Sequence, residues 1–237
     1  MNYKSIESNF TNIGAEFLIP VIDLSEKLNK VKAFLFDWDG VFNNGSKGVG
    51  ATSLFTEPDS MGTNLLRLGF WLKNNHSQPF IGIITALNNE SALQMSEREH
   101  FNAAFFNFKN KIQAFDFVCQ KYNLKPEEIA FVFDDVLDLS VAQVCGVRIL
   151  IRRKASPLMV NYIKQNKLAD YITGNSGNEY GVREACEMIL GLTDMFDNSV
   201  AKRIAFDAIY QKYWEERNKM KLEKYIWKDD QILIDSH

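Results

Sequence analysis

Short, nearly continuous apolar runs alternate along the chain with longer stretches whose apolar residues recur at helical spacing. "VKAFLFD" (31–37), "FIGIITA" (80–86), "IAFVFD" (129–134) and "VRILI" (147–151) have the density expected of strands covered on both faces. "AAFF" (103–106) and "ADYIT" (169–173) are shorter candidates of the same kind. Between them, "MGTNLLRLGFWLKNN" (61–75) and "KIQAFDFVCQKYN" (111–123) carry the period of amphipathic helices. In the second of these, Ile112, Phe115, Val118 and Cys119 share one stripe. Strand–helix–strand repetition predicts an α/β domain with a mainly parallel sheet flanked by helices, and ligands in such sheets bind beyond the carboxyl ends of the strands.

Two regions break the alternation. Residues 42–58, "FNNGSKGVGATSLFTEP", combine glycines, paired asparagines and a second patch of strand formers, which predicts a small β-hairpin projecting after the first strand. From Asn198 to about Tyr225 the chain reads as a long charged helix with Val200, Ile204, Ala208, Ile209 and Tyr213 as its apolar stripe. Such a helix packs on the core or makes a subunit contact. Residues 226–237 and roughly the first 15 are expected to be loosely held. The expected organisation is an N-terminal extension (1–30), an α/β core (31–193) and a C-terminal helical extension (194–237).

Composition narrows the class of protein. With 237 residues, 46% of them hydrophobic, the chain has ample material for one core. A net charge of −3 gives no electrostatic ground for binding nucleic acid or an anionic membrane. No apolar run approaches the roughly 18 to 20 residues needed to cross a bilayer. The N-terminus lacks the basic start and apolar block of a signal peptide. Cys119, Cys145 and Cys186 are far apart without metal-ligand spacing, so reduced thiols and a cytoplasmic location are expected.

The candidate chemistry gathers at strand ends. Asp37 and Asp39 flank Trp38 and precede Gly40. Two carboxylates this close repel, and burial sharpens the repulsion. A divalent cation that favours hard oxygen ligands, such as Mg2+, would offset it; a surface Asp-Gly turn is the plainer reading. "IAFVFDDVLDLS" ends a second strand in Asp134, Asp135 and Asp138. In a parallel sheet both ends lie on one edge, so if the strands are neighbours Asp134 reaches a cation held by Asp37. A solvated acidic turn is the alternative here too, but two strands ending in acidic clusters make a rarer coincidence. Thr85 ends a third strand at the same edge, where its hydroxyl and the following N–H, that of Ala86, can hold a phosphate oxygen. Lys111 begins a helix just upstream of the acidic strand, where an ammonium would balance the carboxylates and neutralise a phosphoryl group.

At these residues the chain resembles the haloacid dehalogenase superfamily of phosphotransferases: "DWDGV" (37–41), Thr85, Lys111 and "DDVLD" (134–138) follow that superfamily's order. More narrowly, "DWDGVFNNG", "PDSMG" (58–62), "IITA" (83–86), "REHF" (98–101), "NK" (110–111), "FDDVLDLSV" (133–141) and "ADYITGNSGNEYGVREACEMIL" (169–190) are similar to the 3-deoxy-D-manno-octulosonate 8-phosphate phosphatases. The likeness covers roughly residues 30–192. It implies a Rossmann-like core without a large cap domain. It also implies a homo-oligomer, a tetramer built through the hairpin, in which neighbouring subunits help to close each site. Asp37 would be the nucleophile that forms an aspartyl-phosphate, and Asp39 the acid and then the base. Mg2+ would be bound by the Asp37 carboxylate, the Asp39 backbone carbonyl and Asp134, with Asp138 supporting these ligands or orienting Lys111. Thr85, Lys111 and the backbone amides of Gly40 and Ala86 would hold the phosphoryl oxygens. The implied substrate is a small phosphorylated metabolite, a sugar-acid phosphate, with Asp59, Gly62 and Arg183 as candidate substrate-binding residues. A phosphatase of another acid sugar, such as a nonulosonate 9-phosphate, and a non-catalytic subunit of the same fold are the alternatives.

The chain departs from that family's pattern in three places. Phe133 stands where a glycine is usual and is expected to crowd the metal site. Thr85 continues into "ALNN" rather than into glycine and arginine, which leaves the partner of a sugar carboxylate unassigned. The segment beyond residue 193 and the first 30 residues lie outside the resemblance.

Overall fold

The computed structural model describes residues 2–48 and 53–235. All six apolar runs form strands of one sheet: β2 (Ala33–Phe36), β3 (Phe80–Ile84), β4 (Ala103–Phe106), β5 (Ile129–Phe133), β6 (Val147–Leu150) and β7 (Tyr171–Ile172). β1 (Glu16–Phe17) and the pair β8 (Glu223–Lys228) and β9 (Gln231–Ile234) complete it. Among the described residues the strand order is β1-β7-β6-β5-β2-β3-β4-β8-β9. The pairings are parallel except at the two edges, where β1 runs antiparallel to β7 and β9 antiparallel to β8.

Strand alternation divides the core in two. Phe34 and Phe36 face one layer with Ile81, Ile83 and Val132, while Ala33 and Leu35 face the other with Phe105, Phe131 and Phe133. The first layer is covered by α2 (Val21–Leu28), α3 (Glu57–Lys73), α4 (Glu90–Arg98) and α8 (Gly181–Leu192). The second is covered by α5 (Ile112–Lys121), the short α6 (Leu139–Ala142) and α7 (Pro157–Gln165). Each buried phenylalanine contributes about 1.5–3 kcal/mol, so the central strands are fixed from both sides. That fixes their carboxyl ends, where the candidate chemistry lies.

The expected hairpin is not seen among the described residues of 42–58: those before residue 49 form a turn and an irregular segment, those after residue 52 lead into α3, and residues 49–52 lie outside the described residues. The turn is built by Asn43. Its Oδ1 accepts from the N–H of Gly40 (3.3 Å) and Gly45 (2.8 Å), and its Nδ2 donates to the Trp38 carbonyl (3.3 Å). Phe42 stacks on Trp38 with ring centres 5.1 Å apart, so the aromatic residues of this segment close the core rather than build a strand.

The tail also differs from its expected form. The single long helix is two, α9 (Phe196–Ala205) and α10 (Ala208–Asn218). Phe206 takes a left-handed backbone (φ +48°), and Asp207 caps the next helix by accepting from the Tyr210 N–H at 3.0 Å. The C-terminal segment is therefore not wholly helical, and its end is not loose: β8 pairs in parallel with β4, and Tyr225 stacks on Phe105 at 4.9 Å. Nor is the N-terminus loose. α1 (Tyr3–Asn12) packs Ile6 and Phe10 against the core, and the Tyr3 hydroxyl lies 3.1 Å from Ser25 Oγ.

Candidate active site

The parallel ladder runs one residue past β2 and β3. The Asp37 N–H donates to the Val132 carbonyl (2.9 Å), and the Thr85 N–H donates to the Phe105 carbonyl (2.8 Å). Trp38 turns into the core and is fully buried, which leaves Asp37 and Asp39 on the opposite side of the chain, at the sheet edge. Because β2 and β5 are neighbours, Asp134 arrives beside Asp37, as the strand reading required. One oxygen from each of Asp37, Asp134 and Asp138 lies within 4.8 Å of the others, and all three residues are buried.

Lys111 sits at the start of α5, where a cation opposes the helix dipole. Asp37 Oδ1 and Asp138 Oδ1 outweigh that cost, since Lys111 Nζ donates to both. Burial alone would pull the ammonium down; the two carboxylates prevail and hold it above its ordinary range. Asp138 is itself held by a reciprocal cap: its Oδ2 accepts from the Asp135 N–H (3.2 Å), and Asp135 Oδ1 accepts from the Val136 N–H (2.7 Å). Burial raises the Asp37 carboxyl well above its usual value; repulsion from Asp138 adds to this and Lys111 works against it. Burial likewise raises Asp134, to about 6, against the pull of Arg153.

The cluster fits a divalent cation. Asp134 Oδ2 accepts from Arg153 Nη2, while Asp134 Oδ1 is buried without a hydrogen-bond partner. Two of the three carboxylates, Asp37 and Asp138, share the one buried ammonium, and the remaining ligand atoms are hard oxygens, the type that Mg2+ takes. Asp39 stands at the cavity wall, where its Oδ1 accepts from the Ser53 hydroxyl (2.7 Å) and its Oδ2 pairs with Lys47.

A cavity of about 570 Å³ opens over these groups. Asp37, Asp39, Thr85, Ala86, Lys111, Asp134 and Asp138 line it, together with Lys47, Lys109 and Arg153, which the sequence reading did not single out. Arg153 obeys the same strand-end rule, for it follows "VRILI"; Lys47 lies in the irregular segment and carries no pattern of its own. Leu87, Val136 and Leu137 form an exposed apolar rim. A cavity of about 580 Å³ at α1, α8 and α9 has only acidic charges, Glu187, Asp194 and Asp197, among its lining residues, and so lacks the mixed charge that phosphoryl chemistry needs.

Several expected residues do other work. The Gly40 N–H is turned to Asn43, and Gly40 lines a separate groove rather than the cavity. Its φ is +92°, and a Cβ there would overlap Asp134 Oδ2 and Arg153 Nη2. Asp59, Gly62 and Arg183 lie where α3 meets α8, away from the cavity. Asp59 is fully buried and accepts from the Arg183 N–H (2.9 Å) and the Thr56 hydroxyl (2.6 Å). A Cβ on Gly62 would sit 3.1 Å from Arg183 Cα, so that glycine serves close helix packing. Phe133 does not crowd the cluster: its ring is buried in the second core layer, stacked with Phe131 at 5.6 Å.

No family model matches the chain. It is 23% identical to the 3-deoxy-D-manno-octulosonate 8-phosphate phosphatase KdsC of Escherichia coli (strain K12) over 183 residues, which cover 77% of this chain and 91% of that protein. Among solved structures, it is similar to a Legionella pneumophila protein assigned to subfamily III A of the haloacid dehalogenase hydrolases (TM-score 0.65, 24% identity, 77% of this chain and 94% of that one). It is also similar to the 3-deoxy-D-manno-octulosonate 8-phosphate phosphatase of Moraxella catarrhalis, solved with magnesium, phosphate and KDO (TM-score 0.63, 22% identity, 76% and 97% covered). The fold is that of the haloacid dehalogenase superfamily, and the chain resembles that superfamily's 3-deoxy-D-manno-octulosonate 8-phosphate phosphatases.

Proposed function

We propose that this chain, with its haloacid dehalogenase fold, is a phosphoric monoester hydrolase that acts on a small phosphorylated sugar acid with Mg2+ and through an aspartyl-phosphate on Asp37. The observation that carries this reading is the buried Asp37–Lys111–Asp138 ion triad beside Asp134, with Thr85 on the next strand. The names of its relatives support the phosphatase class.

An Asp37 oxygen attacks phosphorus as the bond to the leaving alkoxide breaks, and Asp39 gives that alkoxide its proton. Asp39 then takes a proton from water as the water attacks the same phosphorus, which releases phosphate and restores Asp37. Lys111 orients Asp37 and faces the negative charge on the transferring oxygens, and Asp138 holds Lys111 in place. The Thr85 hydroxyl and the Ala86 N–H are the remaining oxygen donors. Asp37, Asp134 and the Asp39 carbonyl would hold Mg2+, which would supply positive charge to screen the carboxylates and neutralise the phosphoryl group. Lys47 and Ser53 keep Asp39 at the cavity wall.

Asp37→Asn should cut turnover of a phosphorylated sugar acid by at least about a thousand-fold while leaving the melting curve of a folded protein. Full activity in that variant sinks the nucleophile assignment. Absence of Mg2+-dependent hydrolysis of p-nitrophenyl phosphate by the unaltered protein sinks the hydrolase reading and favours the non-catalytic alternative. A panel that includes a nonulosonate 9-phosphate separates the acid sugars. The exposed rim of Leu87, Val136 and Leu137 supports a tetramer in which another copy covers the mouth; light scattering that reports a monomer refutes this assembly. Three free cysteines support a reducing, cytoplasmic setting, and export to an oxidising compartment in a fractionation experiment counts against it.

A further inference from the structure

A second cavity, of about 540 Å³, adjoins the catalytic one. The two share Ala86, Leu87 and Lys109 in their walls, so one opens beside the other at the Thr85 end of the sheet edge. The outer wall comes from the tail of the chain. β8 runs parallel to β4, so its carboxyl end points to the catalytic edge and brings Trp227 and Asp230 there. Asp229 and Asp230, both left-handed (φ +51° and +56°), make the tight turn into β9, which pairs back with Gln231 opposite Lys228. The Trp227 ring leans on Phe108 with centres 5.7 Å apart, which fixes this wall to the core. The tail lies beyond residue 193, outside the resemblance to the sugar-acid phosphatases, so the wall is a feature of this chain's own.

The inner wall is the start of α5 and the loop that leads into it. Asn107 and Asn110 precede Lys111, and Gln113 follows it by two residues. Among the described residues, the side chains of Asn107, Lys109, Asn110, Gln113 and Asp230 make no hydrogen bond or ion pair with the rest of the chain. Five polar side chains without an internal partner therefore line one concavity. Three of them are amides, each able to donate and to accept. Asp230 adds an acceptor, and Lys109, at the junction of the two cavities, adds a donor whose charge offsets it. Half-buried Trp227 adds an apolar ring. A flat apolar ring beside mixed donors and acceptors suits a molecule that carries both C–H groups and hydroxyls.

We propose that this second cavity is the subsite for the hydroxyl-bearing carbon chain of the substrate, the part that leaves as the alcohol. Trp227 is its stacking face, and Gln113 and Asp230 are its hydrogen-bond partners. The proposal rests on the hydrolase reading above and deepens it by giving the β8–β9 turn the selection of long sugar phosphates over short ones. With the phosphoryl group at Asp37, Thr85 and Lys111, the carbon chain passes over Ala86 and Leu87, which both cavities share, and enters the second. Asp37, Thr85 and Lys111 face the phosphoryl group, which short and long substrates have in common. The decisive quantity is therefore a ratio: kcat/KM for 3-deoxy-D-manno-octulosonate 8-phosphate over kcat/KM for glycerol 3-phosphate, whose three carbons have far fewer groups to place in the subsite.

The unaltered protein should favour the octulosonate by at least about ten-fold, and a ratio near one overturns the proposal. Q113A and D230N should each lower the ratio by about 3- to 10-fold, chiefly through KM for the longer substrate, because each removes one hydrogen-bond partner. Asp230 is exposed and Gln113 half-buried, and asparagine keeps the left-handed turn, so both variants fold. W227A should lower the ratio further and W227F should recover part of it; where W227A fails to fold, the other two variants still decide. An unchanged ratio in the Q113A/D230N double variant overturns the proposal, as does a fall carried by kcat alone. A readout free of turnover is binding of 3-deoxy-D-manno-octulosonate itself, followed by saturation-transfer NMR. The unaltered protein should bind it at least about ten-fold more tightly than the double variant; equal binding overturns the proposal. If the unaltered protein hydrolyses no phosphomonoester, p-nitrophenyl phosphate included, the hydrolase reading falls, and the NMR comparison still decides whether the second cavity holds a hydroxylated chain.

Discussion

Asp134 is where the electrostatics of the site convert most directly into stability. Burial is the main cause that lifts its carboxyl from 3.8 to about 6; Arg153 pulls against this, and Asp138 and Asp135 add to it. A folded-state pKa above the unfolded value means stability that is present at low pH and lost as the pH rises through the window, here from 3.8 to about 6. At ~1.4 kcal/mol per pH unit, that gap amounts to about 3 kcal/mol. Asp134→Asn keeps the shape and cannot titrate, so the stability of the unaltered protein minus that of the variant isolates the effect. Groups such as Glu16 and Glu223, whose pKa values are lowered elsewhere in the fold, titrate in both proteins and cancel. Asp37 is itself pushed up by Asp134, so its response in the variant acts in the same direction. Urea unfolding in EDTA at pH 4, 5, 6 and 7 measures the difference. The unaltered protein should lose about 2.4 kcal/mol, most of that gap, relative to D134N between pH 4 and pH 7. For 237 residues at ~2.1 cal/mol/K each, that is a melting shift of about 5 °C. Mg2+ added at pH 7 should stabilise the unaltered protein and leave D134N nearly unmoved. A difference that is flat with pH, or that grows in favour of the unaltered protein as pH rises, refutes the assignment of a buried, cation-seeking carboxylate at this position.

Two further substitutions test how the site and the tail are held. Gly40→Ala places a Cβ on a left-handed backbone and into Asp134 and Arg153, so it should cost at least about 2 kcal/mol and most of the activity; a melting temperature within a degree of the unaltered protein would mean that the turn relaxes freely. Tyr225→Ala removes a fully buried ring stacked on Phe105 and should cost about 3–5 kcal/mol in chemical denaturation, whereas a loss below 1 kcal/mol would show that β8 is a dispensable edge.

The parts of the fold that could be read in advance are those where one physical demand dominates. β2, β3 and β5 lie between two helical layers, so their residues must be apolar on both faces, and density alone betrays them. β8 lies near the sheet edge with most of its residues half-buried, so "EKYIWK" shows neither density nor clean alternation and is easily joined to the helical pattern before it. The break at Phe206 was legible only as the Asp207 cap, a local signal overridden by the longer apolar stripe. Asp59, Gly62 and Arg183 are neighbours of chemical motifs in sequence, yet they meet one another through helix packing.

The same distinction runs through the site. Asp37, Thr85, Lys111 and Asp134 are placed by strand ends and a helix start, so finding the strands finds them. Arg153 also follows a strand, but nothing local tells which of two adjacent arginines turns inward. Thr173 and Glu16 claim Arg152, and the space above Gly40 admits Arg153. A glycine that reads as an ordinary turn residue is thus the reason that an arginine from a distant loop meets the acidic cluster. No pattern at either position encodes that meeting, because it exists only once the order β6-β5-β2 has brought the two loops together.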